Sequence, residues 1–175
     1  MFWALAAAIS LHLAAGVAGS EFGACPQNST NSSWQQSSSG ESPSCDISAE
    51  LQLLNLANAA RAQAGLQPLK VDEGLLRAAR AHAAQMAFQD KLSHQFPDEP
   101  SLRQRVSANS TLLMEREGEN VAVAPTVNDA HQALMASPPH RDNLLNAHYK
   151  LAGFGIFHKG NRLYIAQVFG SSVEP

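Results

Sequence analysis

Only two cysteines occur in the 175 residues, Cys25 and Cys45, which is a weak basis for a cysteine-built metal site. Positive charge is not in surplus either. Twelve Lys and Arg stand against fifteen Asp and Glu, for a net charge of −3, and that balance excludes an obligate nucleic-acid binder while leaving room for a small local basic surface. No internal repeat is present, and the length allows one ordinary domain with an N-terminal extension. The first twenty residues, MFWALAAAISLHLAAGVAGS, contain no Asp, Glu, Lys or Arg. Residues 1–19 read as a secretory signal peptide, with Gly16 and Ala18 as the small residues before cleavage. The n-region has no basic side chain, so a retained membrane anchor is the alternative.

The next segment is polar. Residues 20–45 are rich in Ser, Asn, Gln, Gly and Pro without apolar periodicity, the composition of an extracellular linker. In an oxidising compartment Cys25 and Cys45 can close a loop of about 20 residues, nominally worth about 3 kcal/mol; intermolecular pairing and free thiols are the alternatives. Asn28, Asn31 and Asn109 each begin an N-x-Ser/Thr acceptor pattern.

Residues 46–175 read as one globular domain. Ile47, Leu51 and Leu54 space a first helix over about 47–64, with Gly65 as its stop. Asp72 caps a second helix to about Lys91, in which Leu76, Ala79, Ala83 and Met86 recur at spacings of three and four. A short helix over Leu102–Val106, an extended run Asn120–Ala124 and a helix over Val127–Met135 are expected next. Ser137-Pro138-Pro139 predicts a turn before a helical turn from Arg141 to Leu145. Leu151–His158 and Arg162–Phe169, separated by Lys159-Gly160-Asn161, predict a hairpin.

Several histidines and one glutamate in this domain carry candidate chemistry. His82 lies in the amphipathic second helix and reads as a packed, hydrogen-bonded histidine; His131 and His148 read as surface or structural groups. His94 in LSH, Glu119 in GEN and His140 in SPPH offer two imidazoles and a carboxylate, a donor set for a divalent ion if the fold gathers them. They are far apart in sequence and form no compact H-E-x-x-H helix.

LLNLANAARAQAGLQPL, LLRAARAHAAQMAFQDKLSH, GENVA, SPPHRDNLL, GFGIF and YIAQVFG occur in this order over about residues 50–170. In order and spacing this set resembles the CAP superfamily, the SCP domain of cysteine-rich secretory, antigen 5 and pathogenesis-related 1 proteins, in its short bacterial-like form. The resemblance implies an α/β fold, an α-β-α sandwich with a central antiparallel sheet flanked by helices, and an extracellular location. It also implies a cleft of two His and two acidic residues, matched here by His94, Glu119 and His140. The second acid falls near Ser137, which has no carboxylate. Three ligands imply at most weak Zn²⁺ or Mg²⁺ binding, with metal-free hydrogen bonding as the competing account.

That departure favours a non-enzymatic binding module over a metal-assisted hydrolase or a purely structural module. The partners implied are a small lipid or an extracellular protein. Leu112, Leu113 and Met114 are candidates for an apolar groove, although core packing explains them equally well.

Overall fold

The computed structural model describes Cys25 and residues 43–173. The expected signal peptide and nearly all of the expected linker, with Asn28 and Asn31, lie outside the described residues.

Helices cover both faces of one sheet, and most begin where the sequence supplies a side-chain acceptor. Helix α1, Ile47–Gln63, is capped by Asp46 on the Ala49 N–H; α2, Glu73–Gln89, by Asp72 on the Leu75 N–H. Helix α3, Leu102–Asn109, starts at a capping box of Ser101 and Gln104, and α4, Val127–Ala136, at Thr126. The second helix ends two residues before the expected Lys91 because Asp90 adopts the left-handed conformation, φ 53°. Helix α5, Pro138–Leu144, corrects the expected turn at Ser137-Pro138-Pro139. The prolines sit at N1 and N2, where their missing N–H groups have no intrahelical role, and so begin the helix instead of delaying it to Arg141.

The strands among the described residues are β1, Ser44–Cys45; β2, Lys70–Val71; β3, Met114–Ala124; β4, Leu151–Lys159; and β5, Arg162–Ser172. Their order is β1-β4-β5-β3, antiparallel throughout, with β2 added in parallel to β4. Strand β3 is longer than the Asn120–Ala124 run expected, because Met114–Glu119 is too polar to read as a strand and gains its partners from β5.

Alternation along the strands makes two cores. Phe154, Ile156, Leu163, Ile165 and Phe169 pack with α1, α4 and Leu144 of α5. Tyr164, Ala166 and Val168 pack on the other face with α2 and Val106 of α3. The second helix approaches β4 closely: a Cβ on Gly153 would meet the Leu76 backbone nitrogen at 2.0 Å, and one on Gly155 the Arg80 nitrogen at 2.4 Å. These contacts build the expected α-β-α sandwich. A disulfide joins Cys25 to Cys45 of β1, with 6.0 Å between their Cα atoms.

Candidate functional site

Strand β3 is an edge strand, so its neighbouring residues Glu119 and Asn120 can address opposite layers at the same place. Glu119 faces the α2/α3 layer. Its Oε1 accepts from His94 Nδ1 at 3.0 Å and its Oε2 from Arg105 Nη2 at 2.8 Å. Asn120, fully buried, faces α5: its Nδ2 donates to the His140 carbonyl at 3.0 Å and to Gln167 Oε1 at 3.1 Å, while its Oδ1 accepts from Asn143 at 2.9 Å. Asn143 also donates to the Glu119 carbonyl at 3.3 Å. The GEN motif therefore links the loop of His94 to the helix of His140.

The two histidines are held differently. The His94 side chain is 60% exposed while its partner carboxylate is 4% exposed. The hydrogen bond to Glu119 raises its pKa, against the opposing effects of burial and of the Arg105 charge. His140 is half-buried, and its Nδ1 lies 2.8 Å from Ser137 Oγ. Burial lowers its pKa, and the nearby charge of His94 lowers it further. Ser137 is the N-cap residue of α5 and makes no side-chain bond to the helix backbone, so its hydroxyl serves the imidazole at N3 instead.

Arg105 was not legible as a site residue, because it belongs to no motif and its helix is strongly polar. It is nearly buried, with Nη2 shared between Glu119 and the His94 carbonyl, the latter at 3.2 Å. Its Nε lies 3.6 Å from Glu99, which meets His82 Nδ1 at 2.6 Å. His82 is fully buried, as expected, and its Nε2 lies 2.8 Å from the Ser93 carbonyl. The two ring nitrogens of His82 thus face a carboxylate and a backbone carbonyl, which fix the ring between α2 and the following loop. His131 is partly buried, with Nδ1 lacking a partner among the described residues, and His148 is exposed. Neither joins the cleft contacts.

The arrangement gathers His94 and Glu119 by a direct bond and brings His140 to the same strand edge. Among the described residues no group of three His, Cys, Asp or Glu side chains is disposed to hold a metal ion. Each Glu119 oxygen already has one donor, and the Arg105 guanidinium beside it opposes the approach of a second cation. Val106, next to Arg105 in the chain, lines with Leu112, Leu113 and Met114 a pocket of about 280 Å³ to which Arg103 and Glu117, 3.6 Å apart, also contribute.

The uncharacterized protein YkwD of Bacillus subtilis is 32% identical over 120 residues, covering 68% of this chain and 46% of the relative. This chain therefore spans under half the length of that relative. An extracellular protein of Bacillus anthracis containing an SCP domain superposes with a TM-score of 0.62 at 25% identity, over 71% of this chain and 40% of that one. An outer surface protein of Borrelia burgdorferi shares the fold with a TM-score of 0.66 at 19% identity, over 73% of this chain and 96% of that one. The cysteine-rich secretory protein family, CAP, matches residues 54–170, and the chain belongs to that family.

Proposed function

We propose that this chain is a secreted, non-enzymatic binding module, exported by cleavage of residues 1–19, whose cleft at His94, Glu119 and His140 forms a ligand-facing surface together with the apolar pocket beside α3. The carrying observation is the state of Glu119, whose two oxygens are both engaged, by His94 and by Arg105. A carboxylate bonded to both an imidazole and a guanidinium ties the His94 loop to α3, a role that favours a binding surface over a free base. The Ser137 hydroxyl contacts His140 within a single turn of α5, a local contact at the start of a helix.

The ligand class this surface fits is a small lipid. A pocket of about 280 Å³ lies below the volume that drug-sized ligands use and accepts a short stretch of acyl chain. An extracellular protein inserting one apolar side chain is the other occupant of the same chemistry. Zn²⁺ or Mg²⁺ at His94, Glu119 and His140 would be held at most weakly, since the three side chains are not disposed to ligate an ion as they stand and would have to rearrange to do so.

Binding of a fluorescent fatty acid to the full chain tests this reading. The expected result is saturable binding that Leu113→Asp weakens about tenfold or more, because a charge is placed in the pocket wall; Leu113 is 72% exposed, so the fold tolerates the change. Equal binding by both proteins sinks the lipid assignment. Peptide turnover abolished in a folded Glu119→Gln variant establishes the metal-assisted hydrolase instead.

A further inference from the structure

The loop between α2 and α3 carries His94 and has no regular secondary structure, yet three of its residues, Ser93, His94 and Glu99, are tied down from three elements. The Ser93 carbonyl meets His82 of α2, the His94 carbonyl accepts from Arg105 of α3, and the His94 ring meets Glu119 of β3. Glu99 closes the circuit. One of its oxygens faces His82 and Arg105, and the other accepts the Phe96 N–H at 3.2 Å. Arg105 reaches Glu99, Glu119 and the His94 backbone together.

We propose that Arg105 is the positioning residue of the cleft, holding the Glu119 carboxylate in the place that fixes the His94 ring as an Nδ1–H donor and leaves Nε2 for the ligand. An exposed imidazole on an irregular loop has several rotamers and two neutral tautomers. Glu119 selects one of each, because an ionised carboxylate only accepts and therefore takes the Nδ1 proton. At 4% exposure that carboxylate needs a compensating charge, and the Arg105 guanidinium, 6% exposed, supplies it at 2.8 Å. The same Nη2 atom bonds the His94 carbonyl, so ring and backbone are referenced to one group. The functional consequence rests on the cleft being ligand-facing; the tautomer does not.

The test is ring-nitrogen NMR of the full chain labelled at histidine, at alkaline pH where the His94 imidazole is neutral. The wild type is expected to hold His94 in the Nδ1–H form. Arg105→Gln is expected to shift the tautomer ratio toward Nε2–H by about tenfold or more, the scale of a lost charged hydrogen bond, and Arg105→Lys, which keeps the charge without the fork, to restore part of it. An unchanged ratio in Arg105→Gln, or a wild type already in the Nε2–H form, overturns the proposal. Should Arg105→Gln not fold, Glu99→Gln loosens the guanidinium from its far side; a smaller shift in the same direction supports the role, and none refutes it. Failure of the ligand-facing reading shows separately, as fatty-acid binding indifferent to Leu113→Asp alongside an intact tautomer shift.

Discussion

Tyr164 and Asp90 show at the level of single residues how a surface carboxylate sets the chemistry of a buried phenol. Tyr164 is buried, and its hydroxyl donates to Asp90, which Arg162 also bonds. Burial, with the hydrogen bond to Asp90 adding to it, pushes the phenol up to about 12. A raised folded-state pKa contributes stability that is present below the unfolded value of about 10 and is lost as pH rises through about 12. Burial raises Tyr149, the other tyrosine, as well. The Tyr164 share of the tyrosinate absorbance is therefore expected to rise only well above the ordinary midpoint of about 10, and Asp90→Asn to bring the Tyr164 step to lower pH. A Tyr164 step with an ordinary midpoint, identified as the step lost in native Tyr164→Phe protein, would falsify this expectation. The histidines divide on the same physics. His94 and His140 were legible because short motifs bracket them. Arg105 and Glu99 were not, since what makes them matter is burial against partners from other elements, which no local pattern encodes.

At the scale of elements, the packing of α2 on β4 depends on two glycines whose Cβ positions are filled by helix backbone. Gly153→Ala or Gly155→Ala must push the helix off the sheet, and each is expected to cost about 3 kcal/mol or more in urea unfolding. Gly160 is the contrast. It has open space around it but a φ of 59°, so Gly160→Ala strains only the hairpin turn, at about 1 kcal/mol. Equal losses at Gly155 and Gly160 would mean that the helix–sheet contact is not the tight one described. The helices were well read from the sequence because caps and periodicity are local signals. Met114–Glu119 escaped for the opposite reason. Its acidic side chains meet solvent or the charged partners Arg103 and Arg105, so the run carries no apolar signature. The Pro138-Pro139 start of α5 was misread as a turn because a proline pair halts one helix and opens the next with the same φ.

The described residues form a two-core sandwich whose strand β1 is short and covalently tied. Strand β1 contributes two residues to the sheet, beside His158 and Phe157, and the Cys25–Cys45 bond tethers the preceding chain there. Paired Cys25→Ser and Cys45→Ser substitutions are expected to lower stability by up to about 3 kcal/mol. Hydrogen exchange should speed up at β1 and the start of α1 before it does at β4 and β5, because the larger strands keep their own ladders. Uniform acceleration across the sheet would show that β1 is integral to the core. The fold class followed from the sequence because its motifs stand in the order and spacing that resemble the CAP family over most of the domain. The site was legible only in part, since Ser137 replaces an expected acid and the neutralising arginine comes from an unmarked helix. The binding-module reading is tested most directly by a crystal structure of the protein as purified, with its ligand retained and with anomalous data for metals. The predicted result is Glu119 bonded to Arg105 and His94, with ligand density in the pocket at Leu113; a metal ion ligated by His94, Glu119 and His140, carrying a water beside an empty pocket and with Arg105 turned away, would contradict it.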